Sequence, residues 1–315
     1  VIVGQNIARQ LEGRVSFRRA VKTASMLFQI IISGLVIGSV YGLIALGYSL
    51  IYKSSGLMSF VQGDMLTFGA FLGYTFYGVL GIPFFISFFM VIFLMFLLGF
   101  AIEKGVIHRL VAKGVNPIYT VLATIAISYI IQNGSMVLFG SDIKYFPPVT
   151  SIKNIKILSL SVQTEAALCI IASVIFMILF NFFMNKTSHG TAMRAATMDP
   201  MAARACGIDV GFTTGLSWAI ASGIAGFAGM LIGPVYGVYT TVGAVIGRKG
   251  FSSAVMGGFG NMLGAIVGGV LLGLIETFLS AYVSSAHKDI IAYSILLIFL
   301  FVKPTGIFNE RAIAD

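Results

Sequence analysis

Residues 83–102 read Pro-Phe-Phe-Ile-Ser-Phe-Phe-Met-Val-Ile-Phe-Leu-Met-Phe-Leu-Leu-Gly-Phe-Ala-Ile and carry no charged side chain. A helix rises about 1.5 Å per residue, so a run of about 20 such residues crosses the ~30 Å hydrocarbon core of a bilayer. Water is absent there, so the backbone must satisfy its own hydrogen bonds, and long uninterrupted runs favour helices over a barrel. Further apolar segments lie at 27–52, 64–80, 118–139, 166–185, 212–235, 262–283 and 290–303. The expectation is an all-α polytopic membrane protein of about eight transmembrane helices. Composition agrees: 58% of the 315 residues are hydrophobic and 10% are charged, and mean hydropathy is +0.98. A soluble domain carries about 25% charged residues, so a water-facing surface cannot be built from this inventory.

The net charge of +9 does not point to nucleic acid. The basic residues lie between apolar runs and form no patch interleaved with aromatics; they read as orientation signals and headgroup contacts of a lipid bilayer. Residues 103–117 carry Lys104, Arg109 and Lys113, and residues 186–209 carry Lys186, Arg194 and Arg204. Both loops share one side if 118–139 and 166–185 each cross once, and the positive bias makes that side the cytoplasm. Residues 140–165 then face outward, with Pro147-Pro148 and an alternating Ile155-Lys156-Ile157 patch suited to a short strand. Residues 1–26 read as a basic extension, with Arg9, Arg14, Arg18, Arg19 and Lys22, or as an upstream mis-start. They lack the shape of a signal peptide. A single crossing by 27–63 places this basic end outside, against the charge rule, whereas two crossings place it inside. The transmembrane domain spans 27–308, and 309–315 form a tail.

Two stretches, 56–63 and 243–261, are Gly-rich and half-polar, and both are expected to be broken or re-entrant. Irregular backbone at membrane depth is tolerated only where it is buried in protein or lines a cavity, so a pair of such segments points to a pathway. Gly34-x3-Gly38-x3-Gly42, Gly229-x3-Gly233-x3-Gly237, Gly264-x3-Gly268 and Gly269-x3-Gly273 put small residues on single helix faces, the pattern of close helix contact. Charges in apolar surroundings are Asp64, Arg248, Lys249 and Glu276, joined by the polar Gln62. Membrane charges need a partner or a wet cavity. Lys249 is expected to pair with Asp64 or Glu276, with Glu276 preferred, or else these groups serve as pathway or gating residues.

Catalytic chemistry has little to stand on. His108, His189 and His287 lie in separate loops, no metal-ligand spacing occurs, and no GxxxxGK[ST] loop is present. The chain is therefore read as a non-enzyme with no cofactor or metal of its own. Cys169 lies in an apolar run and Cys206 in a polar loop, settings that do not suit a mutual disulfide. The most structured loop is 188–211. Residues 190–198 suit a short helix; Asp199 suits the N-cap of a second, with Pro200 at its first position, and Gly207 suits a left-handed helix end. A small Ala-rich face over 195–205 makes this pair a knob that a partner protein can grip.

The residues Gly190-x2-Met193-Arg194-Ala195-x3-Asp199-x3-Ala203-x3-Gly207-Ile208-Asp209 resemble the cytoplasmic coupling loop of branched-chain amino acid ABC transporter permeases, the LivH type. Three further blocks agree in order. Gly38-Ser39-x-Tyr41-x-Leu43-Ile44-Ala45-Leu46-Gly47-Tyr48 resembles the first helix. Gly250-Phe251-x2-Ala254-Val255-x-Gly257-Gly258-Phe259-Gly260, followed by Gly264-Ala265-x2-Gly268-Gly269, resembles the Gly-rich broken segment. Lys303-Pro304-Thr305-Gly306-Ile307-Phe308 resembles the terminal basic-Pro-Thr-Gly block.

The resemblance implies a bacterial or archaeal inner-membrane permease subunit that imports branched-chain or other small hydrophobic amino acids by alternating access. Its implied partners are a second permease subunit, two cytosolic ATPase subunits that use ATP, and an external solute-binding protein. Gly190, Met193, Arg194, Ala195, Asp199, Ala203, Arg204 and Gly207 are the implied ATPase-coupling residues. One block departs: the family usually shows Asn-Phe-Ala-His-Gly-Glu/Asp where this chain has Ser59-Phe60-Val61-Gln62-Gly63-Asp64. Gln62 supplies a neutral amide that cannot titrate near neutral pH as an imidazole does. If that position touches solute the substrate assignment loosens; if it is a hinge, the change is mild. The alternatives are another small polar solute, urea, amide or sugar, or ion-coupled secondary transport through Asp64 or Glu276.

Overall fold

The computed structural model describes residues 2–149, 154–157 and 160–308, with side chains described for 25–149 and 163–308. The side chains of the basic extension up to residue 24, and the tail 309–315, lie outside the described residues. The elements in chain order are α1 (Ile2–Ser55), α2 (Gln62–Gly73), α3 (Phe84–Ile102), α4 (His108–Ala112), α5 (Pro117–Phe139), strands β1 (Asn154–Ile157) and β2 (Leu160–Gln163), and α6 (Thr164–Lys186). They continue with α7 (Ser188–Met198), α8 (Pro200–Ala205), α9 (Val210–Tyr236), α10 (Val242–Gly257), α11 (Met262–Tyr282) and α12 (Lys288–Val302). Two π-helical stretches, Tyr74–Val79 and Glu103–Ile107, extend α2 and α3.

Every apolar segment read from the sequence is helical. Six helices among the described residues have the length and apolarity to cross a membrane: Ser25–Ser55, Phe84–Ala112, Pro117–Phe139, Thr164–Lys186, Val210–Tyr236 and Met262–Tyr282. α12 is shorter, and α2 reaches spanning length only through its π-helical extension. α3 exposes Phe85, Phe89, Phe93 and Leu97 at four-residue intervals, one continuous face of a helix. Apolar stripes of this size have no place on a soluble monomer and suit contact with lipid.

α9 is the axis of the bundle: 89% of its apolar window is buried, against 11% for α5. Its glycines are the reason it can sit there. Gly226 meets Gly69 of α2, and Gly229 lies against the α2 backbone at Leu66 and Ala70. Other predicted stripes meet in the same way, although Gly237, the last glycine of the 229/233/237 stripe, lies past the end of α9 at φ +76° and not on its face. Gly38 and Gly42 of α1 face Gly273 and Gly269 of the antiparallel α11, so closely that a methyl group on Gly273 would overlap the backbone at Gly38. Backbone-to-backbone approach replaces hydrophobic transfer as the source of packing energy in lipid.

The two Gly-rich stretches fold differently. Within 243–261 the chain is helical to Gly257 in α10, which is not among the spanning helices, and breaks at 258–261, with Gly258 at φ +108° and Gly260 at φ +95°. The α10 glycines are contact positions: Gly243 and Gly247 abut Gly63, Gly250 abuts Ile44, and Gly257 abuts Gly264. The hydroxyls of Ser252 and Ser253 return to the α10 carbonyls of Arg248 (3.0 Å) and Lys249 (2.7 Å), which lowers the polarity that suggested a break. At 16 residues α10 is about 24 Å long, short of the ~30 Å core. By contrast 56–61 is irregular, with Gly56 at φ +65°.

The outward loop folds back over the bundle. Lys144 and Val238 exchange backbone hydrogen bonds of 2.8 Å each, and Phe146 packs on Gly233. The Ile155-Lys156-Ile157 patch is a strand, paired antiparallel with β2. α1 is one continuous helix whose Ser54 and Ser55 share a cavity with Ala196 and Thr197 of α7. Its stretch Ser25–Ser55 is long and apolar enough to cross a membrane once, with α7 and α8 beside its Ser55 end.

Candidate functional site

A groove of about 510 Å³ opens between the irregular 56–61 segment, α5 and α10. Its walls are aromatic: Phe60 and Phe251 lie with ring centroids 5.4 Å apart, and Tyr48 meets Phe251 edge-on at 5.7 Å. Its polar groups include the Ser128 and Ser252 hydroxyls, the Gln132 amide and the Arg248 guanidinium. The irregular backbone is anchored across the groove, where Phe60 N–H donates to Thr124 Oγ1 at 3.2 Å. Helix α5 is the most exposed of the spanning helices, so this groove faces away from the bundle's own core.

The intramembrane charges separate into two sets. Asp64 is buried behind the groove wall, where Oδ2 accepts from the Ser128 hydroxyl and Oδ1 has no partner. Arg248 is exposed into the groove, while its neighbour Lys249, one helical step round, is buried. Lys249 Nζ lies 2.5 Å from Glu276 Oε1 and 2.8 Å from Asp289 Oδ1, and Lys288 Nζ lies 3.3 Å from Glu276. The Tyr41 hydroxyl donates to Glu276 Oε2 at 2.9 Å. The cluster holds two lysines and two carboxylates, so its net charge is balanced, as burial in lipid demands.

Of the two partners considered from sequence, the structure chooses Glu276 for Lys249. Asp289, Lys288 and Tyr41 were missed; the available signal was the Lys288-Asp289 pair opening the last apolar run. Gln62 is not a groove residue. It is buried against Gly47 of α1 and donates from Nε2 to the Ala221 carbonyl of α9 at 2.5 Å. The departure at this position is therefore a change inside the helix packing.

Beside the Ser55 end of α1, α7 and α8 form the predicted knob. Thr187 caps α7 by accepting from Gly190 N–H at 3.1 Å. Asp199 Oδ1 caps α8, accepting from Met201 N–H at 2.8 Å and Ala202 N–H at 2.9 Å, with Pro200 at the first position. Gly207 ends it at φ +82°, a conformation open to glycine. Arg194 reaches back to Asn185 Oδ1 of α6 at 3.3 Å. Gly190, Met193 and Ala203 are buried, and Ala195 is half-buried. The exposed face is Met198, Met201, Ala202, Arg204 and Ala205. Ala203 thus faces inward, which corrects its place on the presented Ala-rich face.

The profile of the family described as "Branched-chain amino acid transport system / permease component" matches residues 30–300. The chain belongs to this family. It is 30% identical over 293 residues, 88% of this chain and 94% of the relative, to the "High-affinity branched-chain amino acid transport system permease protein LivH" of Salmonella typhimurium. It is 30% identical over 291 residues, 88% and 94%, to the protein of that name from Escherichia coli K12. It is 29% identical over 297 residues, 90% and 95%, to "permease protein BraD" of Pseudomonas aeruginosa. A solved structure, "PsaBC from Streptococcus pneumoniae in complex with Fab", aligns with TM-score 0.47 at 17% identity, covering 87% of this chain and 91% of that one.

In this permease the residues that carry the knob's sequence signature build it: Gly190 permits contact with α6, Met193 and Ala203 fill its underside, and Asp199 and Gly207 cap its second helix. The surface it presents is set by the residues between them.

Proposed function

We propose that this permease is the membrane-spanning subunit of an ATP-driven importer of branched-chain and other small hydrophobic amino acids. It would work with a second permease subunit, two cytosolic ATPases that bind ATP, and an external solute-binding protein. The observation that carries the reading is one polar-and-aromatic groove on the exposed α5–α10 face of a bundle that also presents a capped two-helix knob. The groove supplies a guanidinium and an amide for a zwitterion and aromatic walls for an apolar side chain. It does not enclose its contents, which fits a solute selected elsewhere, on the binding protein, and passed through. The knob supplies a rigid lever: motion of an attached ATPase is delivered through α7 to α6 by Arg194 and to α9 by the Asp209 cap, whose Oδ1 accepts from Phe212 N–H at 3.0 Å.

The test is uptake of radiolabelled leucine into vesicles carrying the full set of subunits. The expected result is uptake that requires ATP and the binding protein and survives collapse of ion gradients. Uptake that needs an ion gradient and no ATP would assign the chain to secondary transport, with Asp64 or Glu276 as the coupling group. Uptake of urea or sugar in place of leucine would keep the mechanism and change the cargo.

A further inference from the structure

A second cavity, about 590 Å³, lies between the knob and the bundle; Leu57 lines it three residues before Phe60 enters the groove. Its walls are mostly apolar: Leu57 from the irregular segment after α1, Ile107 and Val111 from the end of α3 and α4, Ala196 from α7, Val210 from α9. Glu103 faces it from the π-helical stretch that ends α3. This carboxylate is 99% buried (relative exposure 1%), and its Oε2 has no hydrogen-bond partner. Nearby cations do not complete it. Lys104 Nζ is engaged by the Gly211 carbonyl at 3.1 Å, and His108 Nδ1 stands 3.7 Å from the other oxygen, Oε1. At the mouth, Arg204 is exposed and makes no ion pair among the described residues.

A buried polar or charged group without a partner costs free energy, and π-helical insertions concentrate at functional sites. The cavity therefore holds one carboxylate whose Oε2 is unmet beside the His108 contact to Oε1, and, among the described residues, a guanidinium without an ion pair at its mouth. We propose that this cavity is a cytosol-facing binding site for a zwitterionic α-amino acid with an apolar side chain. The ligand's ammonium pairs with Glu103, its carboxylate with Arg204, and its side chain lies against Leu57, Ile107 and Val111. Because one wall is α7, occupancy ties the knob to the bundle, so a ligand accumulating in the cytosol would restrain the lever. The site rests on its own residues and does not depend on which solute the groove passes.

The test uses the complete transporter in lipid nanodiscs, with Thr197→Cys as a reporter on the cavity wall and exposed Cys206 replaced by Ser. The rate of reaction with a water-soluble maleimide is measured with L-leucine, with isoamylamine (same body, no carboxylate) and with isocaproate (same body, no ammonium). Leucine should slow the reaction several-fold, isocaproate should not, and isoamylamine should act only at higher concentration. Glu103→Gln should raise the leucine concentration for half-protection about tenfold or more, because charge-assisted hydrogen bonds contribute about 1.5–3 kcal/mol. Gln132→Ala in the groove should leave protection unchanged. Equal protection by isoamylamine reduces the site to a cation site and overturns the amino-acid assignment. Protection that survives Glu103→Gln, or is lost with Gln132→Ala, overturns the location. Absence of protection, or of any labelling at residue 197, overturns the site itself.

Discussion

Lys249 shows how much one buried charge can constrain. It touches Glu276 and Asp289, while Glu276 retains Lys288 and Tyr41 when Lys249 is removed. Removing one partner of a buried pair typically costs about 3–5 kcal/mol. Lys249→Met should therefore destabilise by about 3 kcal/mol, near the lower end of that range, because Lys288 still covers Glu276. Glu276→Gln should cost less, since Lys249 keeps Asp289. Combining Lys249→Met with Glu276→Gln should recover part of the loss. Melting of the purified protein followed by tryptophan fluorescence or by size-exclusion recovery measures all three; strictly additive losses would contradict the pairing. Gln62 belongs at the same scale. Its amide holds the Ala221 carbonyl inside the packing, so Gln62→Leu should lower stability by about 1–3 kcal/mol and leave the concentration dependence of uptake unchanged.

At the scale of elements, the helices are held by shape where they touch and by caps where they end. Gly273 of α11 lies on the backbone of α1 at Gly38. Gly273→Leu has no room and should abolish the folded, monodisperse protein, a larger loss than the usual 1–3 kcal/mol of core overpacking. The knob separates two roles that its sequence merged. Ala203→Trp puts bulk under α8 and should unfold the knob, which limited proteolysis at 199–207 would report. Met201→Glu changes only its exposed face; it should leave proteolysis unchanged and raise ATP hydrolysed per leucine imported. An unaltered ratio in Met201→Glu would place the ATPase contact elsewhere. Asp199→Ala removes both cap hydrogen bonds and should cost about 1 kcal/mol, fraying α8 without loss of the bundle.

At the scale of the whole molecule, exposure divides the surface into a lipid-facing part and a wet part. Phe89 and Phe93 of α3 are exposed and wholly among apolar neighbours on their face, whereas Gln132 and Ser252 line the groove. In a Cys206→Ser background, Gln132→Cys and Ser252→Cys should react with a membrane-impermeant thiol reagent at least about tenfold faster than Phe89→Cys or Phe93→Cys, since thiolate chemistry needs water. Protection of both groove positions, if lost when the second permease subunit is omitted, would place the groove at the subunit interface. Protection retained without that subunit would remove the groove from the pathway. Burial of 11% on α5 against 89% on α9 gives the physical basis: one helix lies at the centre of the fold, and the other is left for a partner or for lipid.

The amino-acid sequence by itself determined the helical membrane architecture, because about 20 apolar residues in a row have no other stable arrangement in a bilayer. It also determined the knob, since Asp199, Pro200 and Gly207 act on backbone within a few residues of themselves. The small-residue faces were legible too, as a fixed spacing reports a shared helix face. What each face meets was not legible. That Gly38 opposes Gly273, that 243–257 runs as one helix with its glycines turned to neighbours, and that Asp64 bonds Ser128 while Lys249 draws in Glu276 and Asp289 all join residues distant in sequence. Local pattern cannot express such pairings, because a side chain's cost or benefit at membrane depth depends on the partner that tertiary packing brings to it. The cavity at Glu103 is of the same kind: nothing beside Glu103 in the chain marks it, and only the approach of α1, α7 and α9 leaves its carboxylate buried beside the cavity with Oε2 unpartnered.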